Sequence, residues 1–198
     1  MMKAVLFDAD GMVINKPRRF SAVLSEEYGI PIEKVTEFFD AEFYPILIGK
    51  ADLKEKIAKY LLLWGWRGTV DEFLLYWFRA EHYIDERVVG DIQRLKQAGI
   101  KCYMVTDNEK YRTEYMENQM NFAGLFEKVF SSSRLGADKP NVEFWKKVLD
   151  DVREPVESIL IWDDEEKNLA SARQLGLRAE LYTGYENFKA RMVEYDLL

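Results

Sequence analysis

The sequence predicts an α/β fold: a parallel sheet with helices on both faces, and a small all-helical unit inserted after the first strand. Three observations carry this. The apolar run Ala4-Val5-Leu6-Phe7 closes on Asp8-Ala9-Asp10-Gly11, which reads as a buried strand ending in a tight turn. From about residue 16 to residue 83 the pattern is helical without interruption. After residue 85 short strands alternate with helices, which calls for parallel βαβ units in a doubly wound, Rossmann-like sheet. The expected division is a core of residues 1–15 and 84–198 with a helical cap of residues 16–83.

Each element has a local reason. Arg19 to Tyr28 repeats apolar positions at helical spacing and stops at Gly29, and Pro31-Ile32-Glu33 opens the next helix with proline suited to a first turn. Ala51 to Leu63 and Val70 to Tyr83 are two further helices, parted by Trp64-Gly65-Trp66-Arg67-Gly68. Val88 to Ala98 is a helix ended by Gly99, followed by a strand over Lys101 to Val105. The remaining helices are Lys110 to Asn121, Val142 to Leu149, and Glu166 to Leu175, the last closed by Gly176. Lys128 to Ser131, Ser158 to Trp162 and Arg178 to Tyr182 are the remaining strands.

Composition narrows the function classes. The chain has 198 residues, 48% of them hydrophobic, enough to bury a substantial core. A formal charge of −7 speaks against a nucleic-acid partner, because duplex binding rides on a basic face. Cys102 is the one cysteine, so no intrachain disulfide forms, and its apolar surroundings suit a small buried thiol. His82 is the one histidine, which excludes multi-histidine metal sites; it reads as a helix-end or packing residue. There is neither a secretory leader nor an apolar run long enough to span a bilayer, so a soluble cytoplasmic protein without a membrane partner is the expectation.

In open α/β sheets ligands bind at the carboxyl ends of the strands, so the residues just beyond each strand are the test. Asp8 and Asp10 come after the first. They are either ordinary turn residues or a carboxylate that binds or attacks beside one that moves a proton. Thr106-Asp107-Asn108 come after the second and read either as a plain helix cap or as an anion site. Asp138-Lys139-Pro140 open a helix after the third; a cation at that end opposes the dipole, so Lys139 either answers an anion or is simply solvated. Asp163 and Asp164 come after the fourth. Acids are normal at a helix start, but beside Asp8 they would repel one another unless a divalent cation neutralised them. With oxygen ligands and no His or Cys to hand, that cation is Mg²⁺.

Asp8-x-Asp10-Gly11, then Thr106, then Lys139-Pro140, then Asp163-Asp164-x-x-x-Asn168 resemble the four motifs of the haloacid dehalogenase superfamily, in order and across nearly the whole chain. The resemblance implies a phosphatase. Asp8 would take the phosphoryl group as an aspartyl phosphate, and Asp10 would protonate the leaving oxygen, activate water, and bind Mg²⁺ through its backbone carbonyl. Thr106 and Lys139 would hold the transferring group, Asp163 would ligate the metal, and Asp164 would support it. Met12 departs from the family's usual Thr or Val; as an apolar side chain it can still fill the space beneath the loop. Asp10 argues against dehalogenation, which needs no second acid there.

The helical insertion corresponds in position to the family's C1 cap, which would exclude water and favour a small phosphorylated metabolite. Its many aromatics, among them Phe39, Phe43 and Trp77, read mostly as bundle core. Trp66 and Arg67, on a glycine-flanked turn, are candidate lips over the cleft, and Arg18, with Lys16 and Arg19, could meet a second anionic group. Asn108 is a further candidate for substrate contact. A phosphomutase is the alternative reaction, and a binding protein without turnover the alternative class.

Overall fold

A computed structural model describes all of residues 1–198. Its centre is β1 (Ala4–Asp8), whose five residues are all buried. β2 (Lys101–Thr106), β3 (Val129–Ser131), β4 (Ile159–Asp163) and β5 (Arg178–Leu181) complete a five-stranded sheet in the order β3-β2-β1-β4-β5, parallel throughout.

The strands obey a strict period of two. Val5, Phe7, Cys102, Met104, Leu160 and Trp162 enter one core, and Ala4, Leu6, Tyr103, Val105, Ile159 and Ile161 the other. Strands covered on both faces must be apolar at successive positions, which is why they read as continuous hydrophobic runs.

Helices α1 (Phe20–Tyr28), α2 (Ile32–Leu47), α3 (Leu53–Leu63) and α4 (Val70–Ala80) follow β1 and pack around a third core of their own. Phe38 sits at its centre, fully buried and edge-on to Phe39, Phe43, Tyr60 and Trp64. The chain leaves and re-enters the sheet domain side by side: Ile14 bridges Ile84, and the Asn15 N–H donates to the Tyr83 carbonyl at 2.8 Å. α4 therefore ends at Ala80, short of the expected Tyr83, because residues 83 and 84 are drawn into this extended crossing.

α5 (Glu86–Gln97), α6 (Lys110–Asn118), α7 (Phe122–Leu125) and α11 (Tyr185–Glu194) cover one face of the sheet. α9 (Val142–Val152) and α10 (Glu166–Arg173) cover the other, and α8 (Ser132–Leu135) is a single turn after β3. The sequence pattern gives no sign of α7, α8 or α11. Two of them are four residues long, and α11 turns inward only Phe188 and Met192, too little periodicity to stand out. α6 ends at Asn118 because Asn121 adopts a left-handed φ of 59° that begins α7. None of these helices is long and apolar enough to cross a membrane.

Core and helical unit are tied at several points. The buried Arg112 guanidinium of α6 donates to the carbonyls of Phe78 (3.1 Å) and Glu81 (3.2 Å) at the end of α4, where the dipole favours a cation. Gly49 has φ +71° and lies so close to α8 that an added Cβ would be 2.2 Å from the Ser133 carbonyl oxygen.

Phe38→Ala is expected to cost about 3–5 kcal/mol, because a ring at the centre of the helical core leaves a cavity that cannot collapse; a fall in the urea midpoint measures it. Glu109, the N-cap of α6, yields a pH prediction. Burial pushes its carboxyl up from 4.5 to about 7, against the Tyr111 and Arg112 N–H groups it accepts from. The folded state thus favours the protonated form. Stability is highest below the unfolded pKa and is lost as pH rises towards 7, by about 2–3 kcal/mol. Urea titrations from pH 4.5 to 8 should show that slope flattened in Glu109→Gln.

Candidate active site

The strand order reverses direction between β1 and β4, and the crevice beyond their carboxyl ends is where an open α/β sheet places its ligand. Asp8 is the last residue of β1 and Asp163 the last of β4. Both carboxylates are buried, and the Lys139 ammonium sits between them, 2.7 Å from Asp8 Oδ1 and 2.7 Å from Asp163 Oδ2. Lys139 enters from the loop before α9. Its backbone is anchored by Asp107 Oδ1, which accepts from its N–H at 3.0 Å, and by Trp145 and Ser171, which both donate to its carbonyl. The buried lysine therefore does answer an anion, in fact two.

The remaining bonds fix each carboxylate. Asp8 Oδ1 accepts from the Ala9 N–H at 2.7 Å, and Asp163 Oδ1 accepts from the Glu165 N–H and from Asn168 Nδ2, both at 2.9 Å. Burial raises the Asp8 carboxyl well above its ordinary range; Asp163 and Asp164 add to this, and Lys139 only partly offsets it. Lys139 is held protonated: burial opposes its charge, but Asp8, Asp163 and Asp107 outweigh it. Burial likewise pushes Asp107 up to about 6.

Asp8, Asp163 and Asp164 offer carboxylate oxygens that all lie within 4.8 Å of one another. Gly11 makes the approach of Asp164 possible. With φ +92°, it passes so close that a Cβ would stand 2.0 Å from Asp164 Oδ2. Three converging hard oxygens with excess negative charge are a donor set suited to Mg²⁺.

Asp10 sits further out. Its Oδ2 accepts from Asn108 Nδ2 at 2.8 Å, and its Oδ1 meets the Lys16 ammonium at 3.3 Å. Burial works against its charge, yet Lys16, Arg112 and the Asn108 bond together hold the carboxyl below the usual range. Lys16 also pairs with Glu81 at 3.1 Å, and Glu81 accepts from the Phe20 N–H at 3.3 Å, so the end of α4 reaches the site. Thr106 closes β2, buried, its hydroxyl accepting from Asn108 Nδ2 at 2.7 Å.

Asp8, Asp10, Thr106, Asn108, Lys139 and Asp164 line one cleft of about 710 Å³, with the buried Asp163 behind Lys139. Arg18 lies at its margin but is paired with Glu26 at 2.5 Å. Trp66 and Arg67 do not line it. The Trp66 ring packs on Tyr28, Phe73 and Tyr76 and its N–H donates to the Thr69 carbonyl, so the turn closes the helical bundle rather than the cleft; Arg67 is exposed beside it. Met12 is fully buried in the core beneath the loop. Phe39, Phe43, Trp77 and Glu81 also line the cleft. Nothing local marks them: they share the helical spacing of their buried neighbours, and only the packing of α2 and α4 turns them towards Asp8.

Comparison with known proteins agrees with this architecture. A drimenol cyclase, drtB, of Aspergillus calidoustus is 32% identical over 102 residues, 50% of this chain and 19% of the cyclase. The sesquiterpene phosphatase astK of Aspergillus oryzae is 26% identical over 93 residues, 47% of each. The chain thus spans about a fifth and about half of these two relatives. Protein CbbY of Rhodobacter capsulatus is 23% identical over 96% of this chain and 90% of its own. Among solved structures, a HAD-like hydrolase from Porphyromonas gingivalis superposes with a TM-score of 0.80 at 19% identity, covering 98% of both chains. A HAD family enzyme from Bacteroides thetaiotaomicron, solved with magnesium and inorganic phosphate, superposes with a TM-score of 0.78 at 19% identity, covering 93% of this chain and 96% of its own. At these identities the structures speak for the fold. The family model of the haloacid dehalogenase-like hydrolases matches residues 2–176, from the first strand to the glycine that closes α10, and the chain belongs to that family.

Proposed function

We propose that the protein is a Mg²⁺-dependent phosphatase that hydrolyses a small phosphate monoester through a phosphoryl group carried on Asp8. The observation that carries this is the Asp8–Lys139–Asp163 bridge at adjacent strand ends, with Asp164 converging on it and Asp10 standing one step out. The phosphatase and the phosphate complex among the similar proteins support the reading.

Mg²⁺ held by Asp8, Asp163 and Asp164 would neutralise the charge that gathers on the phosphoryl oxygens. The rest falls to the chain's own groups. Asp8 attacks phosphorus as the ester P–O bond breaks, and Lys139 keeps Asp8 in place while facing the same oxygens. Thr106 and Asn108 present hydrogen-bonding groups to the transferring group. Asp10 gives its proton to the leaving oxygen, then takes one from the water that hydrolyses the aspartyl phosphate. Lys16 holds Asp10 ionised, the form that accepts this second proton; the first comes from a monoanionic ester, whose acidic P–OH protonates Asp10 as it parts from Lys16 and whose leaving oxygen then receives that proton. Attack on carbon–halogen bonds needs no such proton, so Asp10 and its Asn108 support favour phosphoryl chemistry. The unit over residues 16–83 acts as the cap that shields the cleft from water.

Phosphate release from a panel of monoesters, with and without Mg²⁺, tests this. Asp8→Asn is expected to lose more than about a thousandfold in kcat, and EDTA to abolish turnover until Mg²⁺ is restored. Activity unchanged by Asp8→Asn refutes the mechanism, while transfer of the phosphoryl group to a second site on the product, without free phosphate, indicates a mutase. Lys139→Met leaves two buried carboxylates without their cation and should cost about 3–5 kcal/mol without metal. Thermal unfolding should show part of that loss recovered on adding Mg²⁺.

A further inference from the structure

We propose that the face of α2 turned to the cleft binds the alcohol part of the substrate, and that this alcohol is hydrocarbon-bodied, an alkyl or aryl alcohol rather than a polyol. The inference rests on the phosphatase reading and names its substrate class.

Thr36, Phe39, Asp40 and Phe43 recur at helical spacing and line the same cleft as Asp8. The other face of α2 sends Val35, Phe38 and Ile46 into the helical core. Phe38 is 0% exposed, whereas Phe39 and Phe43 are only half-buried. Nor are these rings loose. Phe39 and Phe43 lie 5.0 Å apart at 61°, Phe39 meets Trp77 edge-on at 5.5 Å, and Phe20 stacks on Trp77 at 5.2 Å. The result is a fixed aromatic wall whose remaining free surface faces the nucleophile's cleft. No step at phosphorus uses it, and rings left wet in a cleft gain free energy when hydrocarbon covers them.

Several polar groups on the cap side are committed elsewhere, although Arg19 and Ser21 also line the cleft. Lys16 is held by Asp10 and Glu81, Arg18 by Glu26, and the Thr36 hydroxyl donates to the Glu33 carbonyl. The rings of the wall offer a polyol no hydrogen-bond partner, so hydroxyls pressed against them give up water without replacement, which is costly.

The test compares two monoesters of primary alcohols, octyl phosphate and glucose 6-phosphate, with Mg²⁺ present. The protein is expected to favour octyl phosphate in kcat/KM by about tenfold or more. Phe39→Ala and Phe43→Ala should each cut that preference by about fivefold to tenfold, chiefly through KM. Thr36→Phe, at an exposed position of the same face, should raise it and does not disturb the bundle core. Preference for glucose 6-phosphate, or a ratio unmoved in all three variants, overturns the inference while leaving the phosphatase reading intact. Octylphosphonate binding, followed by calorimetry, separates the two ideas. Binding weakened by Phe39→Ala without turnover of either ester retains the wall and rejects the phosphatase; neither binding nor turnover rejects both.

Discussion

The Lys139 ammonium between Asp8 and Asp163 is the interaction on which the site depends. Two carboxylates at neighbouring strand ends, both buried, would repel each other strongly enough to be neutralised or driven apart. One cation 2.7 Å from each holds them together, and the surrounding structure exists largely to hold that cation. Asp107 takes its backbone N–H; Trp145 and Ser171 take its carbonyl. Asn168 and the Glu165 N–H finish Asp163. Even so the cluster carries more negative than positive charge, with Asp164 brought in over Gly11, and Asp8 is left with a raised pKa. That excess is what suits the site to a divalent metal.

The second constraint is the double crossing between sheet domain and helical unit. Residues 14–15 and 83–84 run side by side, and around them a charged chain leads inward: Arg112 holds the end of α4, Glu81 holds Lys16, and Lys16 holds Asp10. The outer carboxylate therefore answers in part to the position of the helical unit, whereas Asp8 is held by groups of the sheet domain alone, the Ala9 N–H and Lys139. In the proposed mechanism, attack and proton transfer thus fall to groups with different mechanical anchors.

Much of this was legible in the residues. The strand ends name Asp8, Thr106 and Asp163 because a buried apolar run that stops at a polar residue marks where the sheet meets solvent. Lys139 stood out because a cation before a helix opposes the dipole, and the two buried carboxylates are the anions it answers. The Trp64-Gly65-Trp66-Arg67-Gly68 turn, with two large rings and a cation beside glycines, resembles a lip, but Trp64 is buried in the helical core and Trp66 packs on Tyr28, Phe73 and Tyr76. Phe39, Phe43 and Trp77 do pack in or against the helical core, but spacing does not show that they also line the cleft, since a ring that half-faces a cleft has the same spacing as one that faces a core.

What the sequence by itself determined is the parallel sheet, the helical insertion and the order of polar groups at the strand ends. Each comes from periodicity or from the cost of placing charge next to an apolar strand, and both are local. Only the tertiary structure decided that Lys139 would bridge two carboxylates, that Lys16 would turn to Asp10 and Glu81, and that one face of α2 would line the cleft. Those outcomes join residues such as Asp8 and Lys139, far apart in the chain, and depend on how the helices pack and on which partner is near enough to offset the cost of burying a charge.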